Sequence, residues 1–206
     1  ITFDPASGQT LTINDVIADQ NGAATGSVVV DGAGTVVLAN TNTFTGGITL
    51  DAGTLDLATK TAAGTGLITF AAGSTATLKL EPNAASPTNT IVGFLPGEMI
   101  DVVGIDPKGQ DQSLSATLGA NNVLTVSGAS TVVQTLQLNP SQSYAGYTIA
   151  IAPDNQGGGN VTVVATRAAV ITGTVAGQTS SDLHGIRALS GVQIIDHNTN
   201  ATESVT

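Results

Sequence analysis

The sequence predicts an all-β fold, a right-handed parallel β-helix whose strands stack as rungs of a solenoid. Three observations carry this expectation. Short runs of β-branched residues and leucines recur along the chain, as in Thr35–Leu38, Ile48–Leu50 and Thr54–Leu57, and such residues fit a pleated strand. Asn-Thr-Asn, Gly-Gly and Ala-Gly corners separate these runs; Asn and Gly tolerate the left-handed backbone that sharp corners require. A chain that turns so often cannot build helices, but it can coil so that each strand pairs with its equivalent one turn later. Strand starts at Gly26, Ile48, Leu67 and Asn89 recur at about twenty residues, within the period range of solenoids.

The composition agrees. Hydrophobic residues make up 41% of the 206 residues, yet aromatics are 3% and Trp is absent. A core of Val, Ile, Leu and Ala suits a narrow tube, whereas a globular core usually includes large rings. Charged residues are 10%, well under the quarter or so usual in globular domains. The net charge of −10 repels a phosphate backbone and an anionic membrane surface, which argues against nucleic-acid and membrane partners. There is no cysteine, so disulfides, thiolate metal sites and thiol catalysis are excluded. No apolar run approaches the roughly 20 residues of a membrane-spanning helix. The chain opens at Ile1 without Met and stops at Thr206 within a strand-like run, which reads as a piece of a longer polypeptide.

Taken in order, Ile1–Phe3 and Leu11–Ile13 alternate apolar and polar residues around a Ser7-Gly8 turn, and Gly26–Val30 is the next strand. After the central runs, Leu67–Phe70 and Ala76–Leu80 flank an Ala-Gly-Ser corner. Glu81–Thr88 carries two prolines, which cannot donate to a ladder, and is expected to leave the coil as a longer loop. Strands resume around Leu95-Pro96-Gly97-Glu98, where Pro then Gly suits a type II turn. Leu114–Leu118, Val123–Val126 and Thr131–Leu138 are further strands, and Asn121-Asn122 is a tight hairpin turn. Tyr147–Ala152 and Val161–Ala165 flank the glycine-rich loop Pro153–Asn160; Tyr144 and Tyr147 just before it would suit a cap. Composition shifts after Arg167. The expected division is a β-helix over 1–166 and a linker or partial β module over 167–206.

One stretch resembles a known family. Leu38, Asn42, Thr43, Phe44, Thr45, Gly46, Gly47, Ile48, Gly53, Thr54 and Leu55 follow the pattern of the autotransporter-associated β-strand repeat of bacterial secreted passengers and giant surface proteins. The resemblance implies that Leu38, Asn42, Phe44, Gly46, Gly47, Ile48, Gly53 and Leu55 are structural repeat positions. It implies an extracellular or cell-surface location. Val170–Thr206 is similar to the opening of an immunoglobulin-like module that follows such β-helices, with Ala188-Leu189 in place of Pro-Phe. The segment is too short for a complete sandwich of about 100 residues.

Few residues point to chemistry. His184 and His197 lie near Asp182 and Asp196, with Ser180, Ser181 and Ser190 close in sequence. No nucleophile elbow accompanies them, so solvated loop residues are the simpler reading, and their spacing matches no zinc motif. Asp101, Asp106 and Asp111 recur around a Pro/Gly loop and form a candidate calcium site, since calcium takes carboxylates and loop carbonyls; Asp154 with Asn155 is a second. Solvated rung corners are the plainer account of both. Paired carboxylates occur in polysaccharide-degrading β-helix enzymes, but this chain has few of the aromatics and cations that line a glycan groove. Thr41, Thr43, Thr45 and Thr49 are strand formers rather than a regular ice-binding array.

The resemblance implies a non-enzymatic structural shaft or adhesin segment of a bacterial surface or extracellular protein, and no cofactor is expected other than the calcium candidate. Assembly into homo-oligomers or fibres is expected through rung edges or the 167–206 segment. The alternatives are a module binding glycan or matrix through loops 81–88 or 106–113, and a polysaccharide-degrading enzyme.

Overall fold

A computed structural model describes residues 1–20, 25–84, 86–105, 114–128, 133–166, 170–172 and 193–195. It is all-β, and its first compact unit, Ile1–Val164, contains a parallel β-solenoid of about four turns. Strands pair off as five rungs: β1 (Thr2–Phe3) with β2 (Thr10–Ile13), β3 (Val28–Val30) with β4 (Thr35–Leu38), β5 (Ile48–Leu50) with β6 (Thr54–Leu57), β7 (Ile68–Phe70) with β8 (Thr77–Leu80), and β9 (Thr90–Val92) with β10 (Met99–Val102). The first strand of each rung joins one sheet and the second joins the other, parallel to its equivalents in neighbouring rungs.

Alternation along each strand turns one side chain in and the next out, and the register stacks like on like. In the first sheet the inward columns are Val28, Ile48, Ile68, Ile91 and Phe3, Val30, Leu50, Phe70. In the second they are Leu11, Val36, Leu55, Leu78, Ile100 and Ile13, Leu38, Leu57, Leu80, Val102. From the second rung onward these side chains are buried, so one aliphatic core runs through the stack. Phe44 and Phe94 fill corners, and Phe94 meets Phe70 at 5.6 Å between ring centroids.

The corners are held by polar groups turned inward. Asn42 is buried; its Oδ1 accepts the Ile17 N–H at 2.7 Å and its Nδ2 donates to the Ala62 carbonyl at 2.6 Å. Gly53 turns at φ +66°, where a Cβ would lie 2.1 Å from the Gly32 carbonyl oxygen of the rung before. The Leu95–Glu98 turn has Gly97 at positive φ, as a type II turn needs. Glu98 folds back into it, accepting the Leu95 N–H at 2.8 Å.

Glu81–Thr88 departs from its expected role as a loop leaving the coil. Pro82–Ala84 makes a 3₁₀ turn, and Ala84 and Pro87 are buried. Ser86, at φ 53°, donates its N–H to Oε1 of the buried Gln134 at 2.7 Å. The prolines bend the chain, but the small alanine lets the bend tuck into the core.

After β10 the strands reverse. β11 (Ser115–Leu118), β12 (Val123–Ser127) and β13 (Val133–Leu138) form an antiparallel meander, with β13 lying parallel on β9. Asn121 and Asn122, at φ 54° and 57°, are the two central residues of the turn joining β11 to β12, the conformation of a type I′ hairpin. On the other sheet β15 (Gly159–Ala165) runs antiparallel to β10, with β14 (Tyr147–Pro153) beside it. Tyr144, just before β14, donates its hydroxyl to the Phe94 carbonyl at 3.0 Å.

The second unit spans Ala165–Thr206. Its described strands, β16 (Val170–Thr172) and β17 (Gln193–Ile195), pair antiparallel. The rest of the segment read as the opening of an immunoglobulin-like module lies outside the described residues.

Candidate functional site: a charged column on the outer face

Outward positions stack as strictly as inward ones. On the first sheet the outward column is Thr2, Val29, Thr49, Thr69, Val92, without charge. On the second sheet one column is Thr10, Thr35, Thr54, Thr77, Met99. Its neighbour reads Thr12, Val37, Asp56, Lys79, Asp101, then Asn160 on β15. This last column gathers the ion pairs found among the described residues.

The Lys79 ammonium lies 2.9 Å from Asp56 Oδ2 and also contacts Glu81 Oε1. Burial opposes charge on Lys79, but the hydrogen bonds to Glu81 and Asp56 outweigh it and hold its pKa well above the usual lysine value. Burial pushes the Asp56 carboxyl up, against the opposing pull of Lys79. Asp101 is pushed up to about 6, by burial first and then by the negative charge of Asp154, with Lys79 pulling the other way. Asp56 Oδ1 and Asp101 Oδ1 are buried and accept no hydrogen bond. The arrangement suits an electrostatic staple between rungs. It has no nucleophile activated by a base, and among the described residues no group of three or more His, Asp or Glu is placed to hold a metal ion.

The predicted site residues divide accordingly. Asp101 sits in the column, whereas Asp106 and Asp111 lie outside the described residues. Asp154 turns its Oδ1 onto the N–H groups of Gln156 (2.6 Å) and Gly158 (2.9 Å), closing the β14–β15 loop. His184, His197 and the serines beside them lie outside the described residues, as does loop 106–113. The repeat positions all serve packing or corners. Leu38, Asn42, Phe44, Ile48 and Leu55 are buried, and Gly46, Gly47 and Gly53 pass too close to neighbouring backbone to admit a Cβ.

Asp56, Lys79 and Glu81 were not legible as a cluster from spacing alone. A signal was present, because T-L-D-L, T-L-K-L and M-I-D-V hold the third position of β6, β8 and β10. Aligning rungs by their inward residues puts Asp56, Lys79 and Asp101 in line, with Glu81 two residues beyond Lys79.

The stacked rungs β3 to β6 are the stretch that comparison with known families recognises. Residues 28–57 match the family model described as passenger-associated-transport-repeat. The passenger repeat therefore spans two complete rungs, from the first inward valine of β3 to the last inward leucine of β6. Together with the solenoid it fits a segment of an autotransporter passenger, and repeats of this family are generally structural and belong to secreted or surface-exposed proteins. No curated protein matches the chain.

Proposed function

We propose that residues 1–164 act as a short, stiff shaft segment of a secreted or cell-surface bacterial passenger protein. The observation that carries this reading is the unbroken stacking of the second sheet's inward columns through all five rungs. Each rung adds about 4.8 Å along the axis, so the stack spans roughly 20 Å. Load along such a stack is shared by strand ladders and by the inter-rung bonds of Asn42 and Lys79. Native-state hydrogen exchange tests the reading. A shaft should protect the amides of β3–β10 as one cooperative block, opening only with global unfolding. Rungs that open singly, far below the global stability, would overturn it.

A second reading, a face for a neutral glycan, is supported by an uncharged groove of about 440 Å³ crossing three rungs, lined by Thr45, Thr65, Thr88, Thr49, Thr69 and Asn89. Binding of a neutral oligosaccharide that Thr65→Val and Thr69→Val weaken supports it. Array binding that is absent, or untouched by those changes, rejects it.

A further inference from the structure

The groove that crosses three rungs has a local cause in the sequence. Thr45-Gly46-Gly47-Ile48-Thr49 and Thr65-Gly66-Leu67-Ile68-Thr69 share one pattern, and Thr88-Asn89-Thr90-Ile91-Val92 follows it on the third rung. Ile48, Ile68 and Ile91 are paired in register and buried, so the pattern stacks rung on rung. Thr49 and Thr69 follow the isoleucines, Thr45, Thr65 and Thr88 precede them by three residues, and all five threonines line the groove. Between the two ladders Gly46 and Gly66 leave no side chain. A Cβ would lie 2.6 Å from the Gly26 carbonyl oxygen at the first and 2.3 Å from the Gly47 nitrogen at the second, so close stacking itself demands the trough. The three strands concerned, β5, β7 and β9, are flanked in their sheet by β3 on one side and β13 on the other.

The chemistry of the trough selects a ligand. Among the described residues no charged side chain lines it, which fits a neutral occupant. Its threonine hydroxyls can each donate and accept. Asn89 adds an acceptor that lacks a donor: it is 4% exposed, its Nδ2 donates to the Gly66 carbonyl at 2.7 Å and the Gly64 carbonyl at 3.2 Å, and its Oδ1 accepts no hydrogen bond. A buried acceptor left unmet is costly, and Asn89 borders the groove, so a ligand hydroxyl seated beside it can supply the donor that the chain does not. Leu67, 51% exposed in the same groove, offers an apolar surface. Hydroxyls along the rim and C–H groups on the faces are the features of a sugar ring. The ladders repeat at about 4.8 Å along the axis, close to the length of one hexopyranose unit. An extended peptide repeats its side chains at about 6.7 Å, and it finds no free strand edge here, since β5, β7 and β9 are each paired on both sides. A polymer that follows a straight ladder must itself run straight; β-1,4-linked hexopyranoses form a straight ribbon, whereas α-1,4-linked ones coil. We infer that the groove takes a neutral β-1,4-linked glycan lying along the solenoid axis, one sugar per rung over three rungs. The inference rests on the neutral-glycan reading of this face and adds the linkage and the direction.

The test is a chemical-shift titration of the isotopically labelled full chain with cellobiose, cellotetraose, cellohexaose and maltohexaose, a method that reads weak binding such as a groove without an aromatic platform gives. Cellotetraose should bind about tenfold more tightly than cellobiose, because it reaches the third rung, and cellohexaose should add little once three rungs are filled. Maltohexaose should bind about tenfold more weakly than cellohexaose. Thr65→Val and Thr88→Val, on successive rungs, should each weaken cellotetraose about threefold, as should Leu67→Asn, while Val164→Asn on β15, outside the groove, leaves binding unchanged. These four positions are exposed, so the variants keep the fold, which circular dichroism checks. Equal binding of maltohexaose and cellohexaose, or a loss with Thr65→Val and none with Thr88→Val, overturns the axial β-linked ribbon and leaves the neutral-glycan reading standing. Binding confined to neutral glycans of another linkage does the same. Titrations in which no neutral oligosaccharide binds overturn both.

Discussion

Asp56 and Lys79 face each other across adjacent parallel strands, one rung apart, with Nζ 2.9 Å from Oδ2. Asp56 is 7% exposed, so removing the lysine leaves a carboxylate in a place where water solvates it poorly. Lys79→Met should destabilise the protein by about 1–2 kcal/mol, below the full cost of breaking a buried pair because the ammonium is partly in water. Replacing both residues by valine should recover most of the loss, as Val37 already occupies the same column one rung earlier. Urea unfolding of the unaltered protein and the two variants checks this; a double valine no more stable than Lys79→Met would contradict it.

Asn42 joins Ile17 on one side to Ala62 on the other. Asn42→Ala strands the part-buried Ile17 N–H and the buried Ala62 carbonyl, so a loss of about 2–3 kcal/mol is expected. Asn40, on the exposed side of the same corner, donates to the Asn14 carbonyl in reach of water, and Asn40→Ala should cost under about 1 kcal/mol. Denaturant midpoints with unchanged slopes would give both values.

Gly53 and Gly8 have similar positive φ but different surroundings. At Gly53 a Cβ would lie 2.1 Å from the Gly32 oxygen, while at Gly8 it would meet nothing within 4 Å. Gly8→Ala should cost about 1–2 kcal/mol from left-handed backbone alone. Gly53→Ala adds a clash between rungs and should cost more than about 3 kcal/mol or prevent folding. Similar melting temperatures for the two variants would show that the corner can spread.

The acid groups make stability depend on pH in an unusual direction. Asp101 titrates near 6 in the folded protein against 3.8 for the free group. Between those values the folded state binds more protons than the unfolded chain, so stability falls as pH rises through this window and is greatest below it. Asp56 and Glu98, both raised chiefly by burial, act in the same sense. Asp19 is lowered, first by the Thr45 hydroxyl and then by the Gly26 amide, so its contribution is lost only as pH falls below the free value. The urea midpoint should be higher at pH 4.5 than at pH 7, by about 1–2 kcal/mol of stability after allowing for the half-exposed position of Asp101. Asp101→Asn should flatten most of that difference.

Much of this architecture was legible because a solenoid repeats its local rules. Val28, Ile48, Ile68 and Ile91 recur at nearly constant spacing, and alternation fixes which neighbour faces inward. The Asn121-Asn122 turn was legible for the same reason, since its backbone requirement is local. Glu81–Thr88 was not, because whether a proline bend is solvated or tucked inward depends on Gln134, far away in sequence, presenting an acceptor to Ser86.

The sequence by itself determined the strands, the corners and the face each side chain takes, because these follow from backbone preference and a period of two. Tertiary structure decided what stands beside what. The direction of β12 and β15 is invisible in alternation, which reads the same for parallel and antiparallel neighbours. The charged column depends on register across corners of unequal length, and register is set by stacking of the buried columns, not by distance along the chain. Those two decisions lay antiparallel strands over the rungs of β9 and β10 and bring Lys79 to Asp56.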